Sequence, residues 1–214
     1  MPMSKGYLIT ITGITSSGKT TAANFLQQII NKELVGNKKP FKKPFILLHL
    51  DDFLDGMPHK YRLNELERKK SSKDVSPELV LMFRGVFKSV QNFLDLGLNV
   101  IFEGAYGNLL HQFILDTFPK LKTPLTKQYL GKATKELIED SYYKTYHVRL
   151  NRSLKSLKEN EIKRKNVAGS AEAQWQDPDY QKLNNKDFDF VLKVDGLTPA
   201  EVVATIFKDY RSKL

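Results

Sequence analysis

The run Gly13-Ile14-Thr15-Ser16-Ser17-Gly18-Lys19-Thr20 satisfies the spacing G-x-x-x-x-G-K-[ST]. Such a run carries chemistry only between a strand and a helix: the strand delivers the loop to a sheet edge, and the helix adds its positive N-terminal end to the same anion pocket. Here the apolar, β-branched run Tyr7 to Thr12 precedes the loop, and Ala23, Leu26, Ile29 and Ile30 recur at helical spacing between Thr20 and Lys32. The expected unit is therefore strand, phosphate loop, helix. Gly13 and Gly18 allow torsions that turn successive N–H groups inward, with Thr15, Ser16, Ser17 and Thr21 completing the nucleotide contacts. Lys19 should reach the β- and γ-phosphates, and the Thr20 hydroxyl should ligate Mg²⁺. ATP with Mg²⁺ is the expected ligand pair.

The rest of the chain repeats the alternation. Phe45 to Leu50 reads as a second strand with Asp51-Asp52 at its C-terminal end. Ser76-Pro77-Glu78 opens a helix that can run to Leu96, where Gly97 stops it. A third strand, Asn99 to Phe102, ends at Glu103-Gly104. The segment Asn108 to Asp140 reads as two helical pieces broken around Pro119 to Pro124. Tyr143 to Leu150 alternates like a strand, a basic helix follows from Ser153 to about Lys165, and Phe188 to Val194 is a fifth strand. Thr198-Pro199-Ala200-Glu201 combines a capping threonine, a first-turn proline and a glutamate three residues on, predicting a last helix to about Tyr210. Strands alternating with helices imply an α/β P-loop kinase-type fold, a five-stranded parallel sheet with helices on both faces. Without repeat or linker, residues 1–214 read as one domain, with a candidate lid at about 152–175.

Ligands of an open parallel sheet bind beyond the carboxyl ends of its strands, where Asp51, Asp52 and Glu103 are expected. Asp51 or Asp52 could accept the proton of a substrate hydroxyl during phosphoryl transfer, or simply end the strand as turn residues do. Glu103, after Val100-Ile101-Phe102, has the position of an acid that holds magnesium directly or through water. Thr20, Glu103 and Asp52 are thus the candidate metal donors. Cations follow the fourth strand, and a small-residue break follows them at Asn166 to Ser170. This is the pattern of a lid that closes on ATP and sets positive groups against the transferred phosphoryl group. Arg152, Lys163 and Arg164 are its candidate residues.

Lysine and arginine exceed the acids by 34 to 24, a net charge of +10, which favours anionic ligands at long range. Clusters at Lys38-Lys39, Lys42-Lys43, Arg68-Lys69-Lys70 and Lys163-Arg164-Lys165 are scattered, as solvated surface charge is. The absence of cysteine excludes disulfides, thiolate nucleophiles and cysteine-based metal sites. The opening MPMSKGYLITITG reads as a first strand and not a leader, and no stretch approaches the roughly 20 apolar residues that span a bilayer. A cytoplasmic protein without membrane contact is expected.

Taken together, these residues resemble the chloramphenicol phosphotransferase-like family of P-loop kinases. That family places an acid at the end of its second strand, ahead of an acid-small-Met-Pro turn. Leu50-Asp51-Asp52-Phe53-Leu54-Asp55-Gly56-Met57-Pro58 is similar to this arrangement. Ser76 through Glu103 is similar to its long helix, glycine, hydrophobic strand and acid, and Val167-Ala168-Gly169 to a break in its lid. The resemblance spans most of residues 7 to 210. It implies ATP-dependent phosphorylation of a small-molecule hydroxyl, with Asp51 as the catalytic aspartate, Asp52 as its neighbour, and Lys19, Arg152 and Arg164 as further catalytic candidates. The chain departs from the pattern in extra length around Phe118 to Glu136, and in Asn166 directly before Val167 where arginine is expected.

Two other readings remain open. A nucleotide, nucleoside or polynucleotide kinase would use the basic clusters to recognise acceptor phosphates. An NTP-binding regulator or nucleic-acid-binding module would show strongly salt-dependent binding. The lack of an aromatic-rich nucleic-acid motif makes nucleic acid the less favoured partner.

Overall fold

The computed structural model describes residues 5–35, 43–58, 77–105, 107, 143–164 and 169–213. The expected helical pieces in 108–140, the extra segment at 118–136, the clusters at 38–39 and 68–70, and Asn166, Val167 and Ala168 lie outside them. Five strands form one parallel sheet: β1 (Tyr7–Gly13), β2 (Phe45–His49), β3 (Asn99–Gly104), β4 (Lys144–Asn151) and β5 (Phe190–Lys193), in the order β2-β3-β1-β4-β5. Seven described helices accompany them: α1 (Lys19–Val35), α2 (Leu50–Asp55), α3 (Pro77–Asp95), α4 (Leu154–Arg164), α5 (Ser170–Gln176), α6 (Pro178–Gln181) and α7 (Pro199–Ser212). The fold expected from the sequence is the one observed.

Strand β1 is central, and its alternation sends side chains to two cores. Ile9 and Ile11 join Ala22, Ala23, Leu26 and Ile30 of α1 and Val202, Val203 and Ile206 of α7 on one face. Leu8 joins Val100 and Phe102 of β3, with Val86, Phe87, Val90 and Leu94 of α3, on the other. Burial on both faces explains why β1 and β3 read as nearly continuous apolar runs. Thr10, fully buried, is accommodated by a 2.7 Å hydrogen bond between its Oγ1 and Nδ1 of His147, its register partner on β4.

Local signals set the helix ends. Gly97, at φ 74°, closes α3 with its N–H on the Leu94 carbonyl and the Leu98 N–H on that of Phe93, a Schellman pair. Helix α7 starts at the expected capping box, Thr198 accepting from the Glu201 N–H while Glu201 reaches back to the Thr198 N–H. Strand and helix ends shift by a few residues, α2, α5 and α6 were not expected, and one difference matters for the site. Strand β2 stops at His49, and Asp51 and Asp52 occupy the first turn of α2 rather than the strand end. The cause is Leu50, which turns inward to pack flush on Gly104: a Cβ there would lie 2.7 Å from Leu50 Cβ. Among the described residues no helix is long and apolar enough to cross a membrane.

Phe87 packs edge-on against Phe102 with ring centroids 5.4 Å apart, fully buried beneath the strand that carries Glu103. Phe87→Ala should cost about 3–5 kcal/mol through lost transfer energy and a residual cavity. Equilibrium denaturant unfolding measures this directly.

Candidate active site

The phosphate loop leaves the C-terminal end of β1 and turns at once into α1. Its first glycine is required by space: a Cβ on Gly13 would lie 2.6 Å from the Leu150 carbonyl oxygen and 2.7 Å from Ser17 Oγ. Gly18 is required by conformation, since it has open space around it but adopts φ 97°. Among the described residues Ser16 is the non-glycine residue with positive φ, 65°. That backbone costs about 1–3 kcal/mol and persists only where its surroundings over-determine it.

The loop is rich in donors that face one another. The amides opening α1 lack intrahelical partners by position, and their dipoles add to a positive end. The buried hydroxyls of Ser16 and Ser17 have no hydrogen-bond partner among the described residues. Lys19 is only 7% exposed, and its ammonium donates to the Ile14 carbonyl across the loop at 3.2 Å. A buried cation beside hydroxyls without partners and the start of a helix is the chemistry of an anion site.

Glu103 stands next to it on β3, 2% exposed. The Thr20 hydroxyl donates to one carboxylate oxygen at 3.2 Å, and the other lies 2.8 Å from Nδ1 of His49, its register partner on β2. These two partners make burial of the charge tolerable. Among the described residues no group of three or more His, Asp or Glu side chains forms a metal cage. A magnesium site on a phosphate loop does not need one, because that ion takes few protein oxygens and otherwise keeps water and phosphate oxygens. The Thr20 and Glu103 oxygens fit that demand. Asp51 and Asp52 are both exposed at the start of α2, just past His49.

In the expected lid region the described residues form two helices, α4 and α5, the second preceded by Gly169 with φ 88°. Glu161 of α4, 3% exposed, accepts from the Gly169 and Ala171 N–H groups and so neutralises itself on the first turn of α5. Two side chains of this unit reach the phosphate loop. Asn160 Nδ2 donates to the Ser16 carbonyl at 3.1 Å, and Gln174 Oε1 accepts from the Thr15 N–H at 2.7 Å. Lys163 and Arg164 are exposed at the end of α4. Arg152 is half-buried and donates to the Val194 carbonyl at 3.2 Å.

Arg152 also lines a cavity of about 620 Å³ that opens beside Gly13 and Ile14 and is walled by Trp175, Tyr180 and Asp195 among others. Asp195 holds the start of α4 by accepting from the Ser153 N–H and Oγ. Burial alone would raise its carboxyl, but hydrogen bonds from Ser156 and Ser153 and the Arg152 charge outweigh that and hold it below the ordinary carboxylate range.

A family profile described as chloramphenicol phosphotransferase-like protein matches residues 6–176. The chain belongs to that family. This chloramphenicol phosphotransferase-like P-loop kinase is also similar in fold to solved kinases. A sugar kinase from Janibacter sp. HTCC2649 shares 13% identity, with 96% of this chain and 95% of that one covered at a TM-score of 0.63. A thymidylate kinase from Candida albicans shares 18%, covering 98% and 93% at 0.57. The APS kinase of Mycobacterium tuberculosis, solved with AMPPNP and APS, shares 12%, covering 97% and 99% at 0.55. At these identities the likeness speaks for the fold alone. No curated protein matches the chain.

The sequence reading of this kinase did not contain His49, Asn160, Glu161 or Gln174. His49 carried a weak signal, sitting at a strand end like Glu103. The other three are polar residues on short helices, indistinguishable in sequence from surface side chains.

The Asp195 carboxyl has a depressed folded-state pKa, so its stabilisation is present above the ordinary carboxylate value and is lost as pH falls through the folded one. Asp195→Asn should lower the melting temperature by a few degrees at neutral pH, as loss of helix-terminal hydrogen bonds does. The gap to the unsubstituted protein should close on acidification, which melting curves across the acid range would show.

Proposed function

We propose that this kinase uses ATP and Mg²⁺ to phosphorylate a hydroxyl of a small molecule. The observation that carries the reading is the joining of two halves of a phosphoryl-transfer site: the donor-rich loop ending in Thr20, and the buried strand-end acid Glu103 hydrogen-bonded to it. The amides that open α1 from Gly18 to Thr21, with Gly13 and Gly18 shaping the turn and the Ser16 and Ser17 hydroxyls beneath, bind the phosphate chain. Lys19 orients the β- and γ-phosphates. The cavity beside Ile14, of a size suited to small ligands, receives the nucleoside between Arg152 and Trp175. Thr20 and Glu103 would hold Mg²⁺, with Asp52, three residues past the Glu103 partner His49, as a further oxygen donor, and the bound ion would neutralise charge on the phosphate oxygens.

Asp51 is the proton acceptor for the substrate hydroxyl. Supporting it are its exposure, its place on a helix that starts where β2 ends beside Glu103, and the resemblance by which the family's catalytic aspartate falls on Asp51. Arg164, exposed at the end of α4, and Arg152, already at the cavity wall, are the cations that face developing negative charge when the lid segment at about 152–175 closes. The chain as a whole acts as one catalytic domain.

The deciding experiment is ATP and Mg²⁺ turnover against chloramphenicol, other hydroxylated antibiotics, nucleosides, nucleotides and short nucleic acids. One small-molecule class should be phosphorylated, with Lys19→Ala lowering the rate about 10²–10³-fold. Asp51→Asn should lower kcat about 10²–10⁴-fold with little change in ATP affinity. Transfer to nucleotides or polynucleotides instead would reassign the acceptor, and unchanged turnover in Asp51→Asn would remove that residue from the mechanism. Glu103→Gln keeps the shape of the carboxylate without its charge, so the Mg²⁺ concentration for half-maximal turnover should rise about 10–100-fold. A Mg²⁺ titration of the initial rate measures it.

A further inference from the structure

Ser16 is held from both sides by the lid. The N–H of the residue before it, Thr15, donates to Gln174 Oε1 at 2.7 Å, and its own carbonyl accepts from Asn160 Nδ2 at 3.1 Å. These two contacts bracket the residue whose φ of 65° a serine adopts only under constraint. The side chains that make them belong to one fixed unit. Asn160 adjoins Glu161, the Glu161 carboxylate grips the start of α5 at Ala171, and Gln174 lies three residues further along that helix. Gln174 is 8% exposed although it is an uncharged polar residue of a short helix, so its carboxamide is committed to this contact rather than to solvent.

We infer that Gln174 and Asn160 are positioning residues that clamp Ser16 in its left-handed conformation and thereby aim the amides of the phosphate loop at the nucleotide. The inference rests on the proposed ATP-binding role of that loop. It makes the docked lid a condition of phosphate affinity rather than a cover added after binding: undocking leaves Ser16 to relax toward negative φ, and the amides on either side rotate with it. Neither side chain needs to touch the nucleotide for this to hold. By linkage, a ligand that binds the aimed loop draws the lid onto it to the same degree.

A double-mutant cycle on ATP affinity tests the mechanism. Glycine adopts positive φ without strain, so Ser16→Gly removes the need for a clamp. Gln174→Met keeps the side-chain length and removes the acceptor. ATP titrations of the full chain by calorimetry should give a loss of about tenfold for Gln174→Met in the otherwise unchanged protein, the size expected when a hydrogen-bond partner is withdrawn. In the Ser16→Gly protein the same substitution should cost about twofold or less. Trp175, the chain's single tryptophan and a wall of the cavity beside the loop, gives a second readout through its emission. Asn160→Ala, at a half-buried position, repeats the cycle on the other contact should Gln174→Met not fold. An equal loss in both backgrounds, or none in either, overturns the clamp while leaving ATP binding intact. Failure of the unsubstituted protein to bind ATP overturns the proposed function and the clamp together.

Discussion

The turn from β1 into α1 gathers backbone donors at one point, and the rest of the site is arranged around the positive potential this creates. The opening amides of a helix cannot be satisfied within it, and here no side chain of the loop supplies an anionic cap. Lys19, 7% exposed, adds a full charge to the same place. A carboxylate set directly into such a pocket would compete with any anionic ligand. Glu103 is close enough to accept from Thr20, yet its second oxygen is turned to His49, so its charge is shared with the neighbouring strand. The register of β2 against β3 decides this, because it sets His49 and Glu103 side by side.

Two different kinds of packing support the loop. Beneath it, β1 is closed between apolar layers on both faces, and opening there would expose most of the described core. Above it, α4 and α5 rest on a hydrogen bond donated by Asn160 and on those accepted by Glu161 and Gln174, with Leu157, Ala171 and Ala173 as their modest apolar contribution. Segments held by few apolar contacts open at lower free energy than the core to which they attach. The phosphate loop is therefore backed by an apolar core below and met from above by a unit whose described contacts with it are polar.

What the sequence disclosed follows the range of the forces involved. The phosphate loop, the glycine ending α3 and the capping box of α7 are each set within a few residues, so their patterns stand in the sequence and reappear in the structure. Glu103 was legible because a polar residue ending an apolar strand has few structural reasons to be there. Strand register is not written locally, so the His49 to Glu103 contact, 54 residues apart, was not foreseen. The bond from Thr15 to Gln174 spans 159 residues and depends on where the chain returns after β4. The helical start at Leu50 was missed for a related reason: it answers to the flush packing on Gly104, contributed by a strand far along the chain.

The acids near the loop divide into two groups, and the division bears on chemistry. Glu103 and Glu161 are buried and occupied: one by Thr20 and His49, the other by the amides that open α5. Each already has hydrogen-bond partners within the fold. Asp51 and Asp52 are exposed in the first turn of α2. On the proposed reading the available negative charge is thereby confined to the side from which a hydroxyl approaches. The buried acids hold parts of the site in place, and their neutralisation keeps the cradle attractive to phosphate although a carboxylate lies one hydrogen bond from Thr20.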